Sequence, residues 1–297
     1  MNELEKISDD EIAARIDECP RLASLRSINK ALFSLINAES TFSSQIAEVI
    51  RRDPTLTTRI LKLVNSVFFG LGKPVTSVEE AILYLGIRQI RELALATPVI
   101  EDLALLNKHH LVHWTNMWSH SIGTAILTRE ILTIANIICE DEGDYIIGLL
   151  HNVGKLVMAF AFPEYFTSIV KESFDASTDV CECERNTLGW DHEQIGAYYL
   201  KQHRIPEFVH EAIKFHHRPS EAGEFKKFSA AIQLADYLIQ SIGFTGLEKV
   251  KPVNTSDCFK LDSWPLLFGA DQIESTFVMA SLNHSLERLP GLLSRLI

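Results

Sequence analysis

Almost every segment of this chain with a clear apolar period has the helical one, and no convincing strand alternation stands beside it. In residues 28–37, Ile28, Leu32, Leu35 and Ile36 recur at spacings of three and four. Asp53-Pro54 reads as a helix start: a capping carboxylate is followed by proline at the first helical position, where its missing N–H costs nothing. Leu56, Ile60, Leu63 and Val64 form the apolar stripe of that helix, and the run from Phe69 to Pro74, with two glycines, stops it. Ser77-Val78-Glu79-Glu80 is a capping box for a next helix whose apolar face includes Ile82 and Leu85. Thr97-Pro98 marks an interruption. Periodicity then predicts helices over roughly 111–138, 144–161, 163–174, 191–202, 206–215, 227–241 and 271–288, with 241–271 the least regular stretch. The reading is all-α. An N-terminal helical subdomain, residues 1–106, is expected to pack on a helical core, residues 107–297, with no flexible linker between them.

With 297 residues, of which 46% are hydrophobic, the chain can bury a sizeable core. Its net charge of −11 argues against a broad electrostatic footprint for nucleic acid or anionic lipid. The local basic group of Arg51, Arg52 and Arg59 reads as solvated helix surface. Five cysteines suit a reducing compartment better than a disulfide framework. Cys181-x-Cys183 has no second cysteine pair to complete a zinc ribbon. The N-terminus is acidic and amphipathic, without the apolar centre of a signal peptide. The most membrane-like window, Tyr145–Phe162, carries His151, Asn152 and Lys155, which fits a buried helix better than a span. A cytoplasmic protein without nucleic-acid or membrane partners is expected.

Most of the eleven histidines fall in the second group of helices. His120, His151, His192 and the adjacent His216 and His217 sit where a metal site could be assembled, and Asp236 adds a carboxylate on an otherwise apolar helix. Imidazole and carboxylate suit divalent iron, manganese, zinc or nickel. A helix bundle can gather such residues from separate helices. Taken singly, a histidine on an apolar helix is more often a hydrogen-bonded core residue than a ligand, and spacing alone leaves the convergence of the set open.

The order His120, then His151-Asn152-Val153-Gly154-Lys155, then Asp236 resembles the H…HD…D signature of the HD phosphohydrolase superfamily. His192 and His216-His217 are similar to the further histidines of its HD-GYP branch. The segments DPTLTTRILKLVNSVFFG (53–70), SVEEAILYLGIRQIRELAL (77–95) and IIGLLHNVGKLVM (146–158) together resemble an HDOD domain, the HD-related output domain of bacterial signalling proteins. That resemblance spans roughly residues 20–240. It implies an all-α fold and a bacterial signalling context, in a family commonly degenerate at its metal site. It further implies that His120, His151, position 152 and Asp236 would hold one metal. His192 and His216, with His217, would hold a second metal or a substrate phosphate, and Lys155 could contact that phosphate.

This chain departs from the superfamily at Asn152, where an aspartate would stand. Asparagine keeps a carbonyl oxygen but removes a negative charge that could bridge two cations. One ion is therefore expected rather than two, and inefficient catalysis if any. No Gly-Tyr-Pro element follows Lys155, so hydrolysis of cyclic di-GMP is not expected. The expected role is a stand-alone signalling or output module that engages a signalling protein or a small phosphorylated ligand. The alternative is a metal-dependent phosphohydrolase acting on a nucleotide or other phosphate ester. Oligomeric state is not legible.

Overall fold

The computed structural model describes residues 5–18, scattered positions within 47–86, and residues 114–138, 143–175, 179–202, 205–246, 253–269 and 272–293. Every regular element among them is helical. The helices with defined bounds are α1 (Asp9–Asp17), α2 (Trp114–Ile134), α3 (Gly143–Leu150), α4 (Val153–Ala161), α5 (Pro163–Asp175) and α6 (Val180–Thr187). They continue with α7 (His192–Gln202), α8 (Glu207–Lys214), α9 (Lys226–Ser241), α10 (Ser263–Phe268) and α11 (Gln272–Leu293). None of these is long and apolar enough to cross a membrane.

Local chemistry explains several helix starts. Ser8 caps α1 by accepting the Glu11 N–H, and Asp179 caps α6 by accepting the Glu182 N–H. Ser77 accepts the Glu80 N–H at 3.1 Å, while the Glu80 carboxylate takes the N–H of Thr76 at 2.9 Å. The capping box is thus present, its return bond one residue earlier than in the usual form. The predicted features at 28–37, Asp53-Pro54 and Thr97-Pro98, and the 106/107 boundary, lie outside the described residues.

α2 and α9 form the centre, with α3 against α2 and α7 against α4. Ile122, Ala125, Leu127 and Ile131 of α2 and Ile232, Leu234, Leu238 and Ile239 of α9 are buried there. α1 packs on α4 and α7. Ile12 and Ile16 are its buried face, and the Trp190 indole N–H donates to Asp9 at 2.9 Å.

Two expected helix bounds need correction. The predicted helix over 144–161 is two helices, because the chain turns at His151-Asn152. Asn152 (φ −99°, ψ 15°) begins α4 without using its side chain as a cap. The predicted helix over 271–288 runs to Leu293 through Pro290, since burial of Leu286, Leu289 and Leu293 outweighs the proline's lost N–H in the last turns. The stretch 241–271 contains a 3₁₀ segment, Thr255–Lys260, and α10, anchored by the buried Cys258, Trp264 and Phe268. α6 was not foreseen either, because its buried face is Cys181, Cys183 and Glu184 rather than an aliphatic stripe.

Candidate metal centre

Two glycines bracket the turn that carries His151 and Asn152. A Cβ on Gly148 would fall 2.7 Å from the Ala125 Cα and 2.9 Å from the Thr124 oxygen, so only glycine lets α3 lie this close on α2. A Cβ on Gly154 would fall 1.9 Å from the His192 carbonyl oxygen. The turn between them delivers His151 toward α2 and brings α4 onto the start of α7, where His192 stands.

In this turn, His151 meets His120 of α2 and Asp236 of α9. His120 Nε2 lies 3.0 Å from Asp236 Oδ1 and 3.2 Å from His151 Nε2, and His151 Nε2 lies 4.0 Å from Asp236 Oδ1. Asn152 Nδ2 is 2.7 Å from His151 Nε2 and 3.3 Å from His120 Nε2. The backbone fixes the imidazole tautomers. His120 Nδ1–H donates to the Phe244 oxygen at 2.9 Å, and His151 Nδ1–H donates to the Gly148 oxygen at 2.7 Å. A carbonyl can only accept, so each Nδ1 carries a proton, and the two Nε2 atoms face one another and a carboxylate oxygen, with a proton on His120 Nε2 where it donates to Asp236.

The second group is built alike. His192 Nε2 lies 3.4 Å from His216 Nε2 and 3.2 Å from His217 Nε2. His216 Nδ1–H donates to the Ile213 oxygen at 2.7 Å. Glu184 Oε2 accepts both the backbone N–H of His192, at 2.8 Å, and its Nδ1–H, at 2.6 Å. Glu193 accepts the backbone N–H of His217 at 2.8 Å and is held by Arg218 at 3.1 Å. The His151 and His216 rings, 5.3 Å apart and edge to face, join the two groups. Thus all seven ligand candidates, His120, His151, Asn152, His192, His216, His217 and Asp236, come together. All but His217 are at least nine-tenths buried.

Lys155 lies half-buried in the first turn of α4. Its charge reaches the second group and helps to lower His192, His216 and His217. Glu184 and Glu193 were missed in the sequence. Their only signal is adjacency in DHE (191–193) and CECE (181–184), a pattern that ordinarily marks solvated helix surface. Cys181 and Cys183 diverge: Cys181 Sγ lies 3.9 Å from His192 Nδ1, whereas Cys183 donates to Glu172.

The donor set fits a divalent ion. Facing acceptors repel unless something positive sits among them: the Asn152 amide N–H groups and a proton between His120 and Asp236 serve here, and a metal ion could take their place. Metal–nitrogen bonds of about 2.1 Å at tetrahedral or octahedral angles place ligand atoms about 3.0–3.4 Å apart. The His120–Asp236, His120–His151, His192–His217 and His192–His216 separations fall in that range. Asn152 Oδ1 is buried without a hydrogen-bond partner. Rotating the amide about its terminal bond would turn this oxygen toward the two Nε2 atoms as a neutral ligand. Glu184 behind His192 is the carboxylate support that metal-binding imidazoles commonly have.

Burial sets the protonation states. It lowers His216 to about 4 and holds His151, His192 and His217 well below the ordinary histidine value. It raises Glu184 and Glu193, each to about 7. Burial would also raise Asp236, but the hydrogen bond from His120 and the surrounding imidazoles keep that carboxyl well below its usual value.

These shifts predict how the metal-free protein responds to acid. As pH falls below about 6.5 the four histidines take up protons in the unfolded chain before they do so in the folded one, so stability falls as pH drops. The two glutamates act oppositely. They stay protonated in the folded protein up to pH 7, so their contribution falls as pH rises from about 4.5. Four groups outweigh two, and a net loss of stability from pH 7 to pH 5 is expected. Urea unfolding with chelator present measures it, and equal or greater stability at pH 5 would contradict buried neutral histidines.

Comparison with known proteins bears on the family and the fold. The family model for the HDOD domain matches residues 22–219. An uncharacterised protein of Treponema pallidum (strain Nichols) is 29% identical over 275 residues, covering 90% of this chain and 51% of its own. The chain thus spans about half the length of the curated relative it matches. Among solved structures, an HDOD domain protein of unknown function from Geobacter sulfurreducens aligns with a TM-score of 0.72 at 21% identity, covering 98% of this chain and 94% of its own. A candidate phosphohydrolase from Shewanella amazonensis SB2B aligns with a TM-score of 0.74 at 20% identity, covering 97% and 98%. Both likenesses concern the fold.

Proposed function

This chain belongs to the HDOD domain family, and we propose that it works as a signalling output module whose buried histidine cluster holds one divalent ion. The observation that carries the reading is Asn152. It occupies the centre of the first ligand group, beside His120 and His151, and leaves Asp236 as that group's carboxylate. A largely neutral, deeply buried donor set suits one cation held for structure or regulation better than two adjacent cations. His120, His151, Asn152 and Asp236 would hold the ion, which would supply a cross-link between α2, the α3–α4 turn and α9. Iron, manganese, zinc and nickel all match the ligand chemistry. The working surface is then the helical exterior, addressed to a signalling protein or a small phosphorylated ligand in the cytoplasm. Residues 1–106 and 107–297 act as its two subdomains.

A second reading, hydrolysis of a phosphate ester, is favoured by one feature. The Nε2 atoms of His192, His216 and His217 form a second acceptor group next to the first, with Lys155 nearby. In that case an ion would polarise a phosphoryl oxygen and activate water.

One set of measurements separates the two readings. Metal analysis of protein purified without chelators is expected to find about one ion per chain, with thermal stabilisation by metal lost in His151→Ala and Asp236→Ala. Assays on p-nitrophenyl phosphate and bis-p-nitrophenyl phosphate with manganese, iron or nickel are expected to show no turnover. Turnover abolished by either substitution would replace the first reading with the second. Protein that binds no metal would remove the ion from both.

A further inference from the structure

Away from the histidine cluster, α2 and α11 line a half-open groove of about 270 Å³. Ile126 and Leu289 supply apolar lining, and Arg129 and Arg288 enter from the two facing helices. Glu130 and Thr133 of α2 and Ser285 of α11 complete the wall. The Ser285 hydroxyl donates to Glu130 at 2.6 Å, so this carboxylate is tied across the groove. Arg129 and Arg288 outnumber Glu130 among the charged side chains of the lining, and each guanidinium has five N–H donors, enough to meet a ligand while keeping the contacts it already makes. Guanidinium groups bind carboxylates in a two-pronged geometry, and apolar walls favour a ligand with a hydrophobic body. At about 30 Å³ per water, the groove admits roughly nine water-sized groups, the size of a benzoate ion.

The groove is also wired to the ligand cluster. Gly123 lies between His120 and the groove on α2. A Cβ there would meet Ile239 Cδ1 at 2.4 Å and Leu293 Cδ1 at 3.2 Å. Ile239 stands three residues after Asp236 on α9, and Leu293 four residues after Leu289 on α11. The three helices therefore touch at Gly123, and the spacing between α2 and α11 bears on His120 and Asp236. Arg129 also lies over the Tyr145 ring, 5.5 Å from its centroid, on the helix that leads to His151.

We propose that this groove is an effector site for a small monocarboxylate with an apolar body, and that its occupation is felt at His120. Binding does not depend on the metal reading, and the test uses metal-free full-length protein so that the two can fail separately. Calorimetric titration with sodium benzoate is expected to saturate with a Kd of about 1 mM. Arg288→Ala, at an exposed position, should weaken binding at least tenfold with unchanged circular dichroism. Ile126→Trp, which fills the groove, should abolish it. Benzyl alcohol and inorganic phosphate should bind at least tenfold more weakly, since each lacks half of the recognition. Nitrogen-detected imidazole spectra should show the His120 ring resonances moving with the same saturation curve. Absence of saturable binding, or binding indifferent to both variants, would overturn the site. Equal binding of phosphate or of benzyl alcohol would overturn the carboxylate assignment. Benzoate binding without a His120 response would overturn the connection.

Discussion

Gly154→Ala is expected to destabilise the protein by about 3 kcal/mol and to disturb the histidine cluster at the same time. The added methyl would sit 1.9 Å from the His192 oxygen, 2.7 Å from the His192 carbonyl carbon and 2.8 Å from the Gly196 nitrogen. All three are backbone atoms, so no side chain can swing aside. Relief requires α4 and α7 to separate until the closest contact reaches about 3.4 Å, where ordinary van der Waals contact begins. That motion carries His192 away from His216 and His217, and it disrupts packing between two helices buried on their facing sides. Urea unfolding gives the cost, and two controls give it meaning. At Gly196 the nearest atoms to a new Cβ lie at 3.1–3.4 Å, so alanine should cost less there. At Gly291 nothing lies within 4 Å, and alanine in that helix should be neutral or slightly stabilising. A Gly154→Ala protein as stable as Gly291→Ala would show that α4 and α7 do not meet as described.

The same glycine marks where reading the chain succeeds and where it stops. Helical periodicity found those helices of the second half that bury an aliphatic stripe, and it passed over α6, whose buried face is Cys181, Cys183 and Glu184. It missed the break at His151-Asn152. The apolar pattern continues across the break, and the turn is imposed from outside, by α2 against Gly148 and α7 against Gly154. The convergence of His120, His151 and Asp236 was open on spacing, since three separate helices carry them. Only the resemblance to HD proteins tied them together. Glu184 and Glu193 were invisible for a different reason. Acidic residues beside charged or polar neighbours normally face water, and these two are buried because they answer the N–H groups of His192 and His217.

Asn152→Asp is expected to make the metal-free protein less stable while raising its affinity for metal at least tenfold. Position 152 is 5% exposed, and its amide nitrogen lies 2.7 Å from His151 Nε2. A carboxylate there would join Asp236 as a second buried anion facing imidazole lone pairs. Without a cation, that charge must be neutralised by a proton or remain buried at a cost of several kcal/mol. With manganese, zinc or nickel, the same charge becomes an anionic ligand placed between His120 and His151 and able to bridge to a second ion. The thermal midpoint should therefore fall in chelator and rise with metal by more than in the unsubstituted protein, because stabilisation follows the logarithm of metal concentration over Kd. Asn152→Ala separates charge from shape: it removes the amide and should weaken metal binding without the loss of stability expected from a second carboxylate. If Asn152→Asp changes neither the metal-free midpoint nor the metal response, no cation sits among these side chains, and the cluster is a hydrogen-bonded core instead. If metal affinity rises and p-nitrophenyl phosphate is then turned over, position 152 alone separates this chain from a hydrolase.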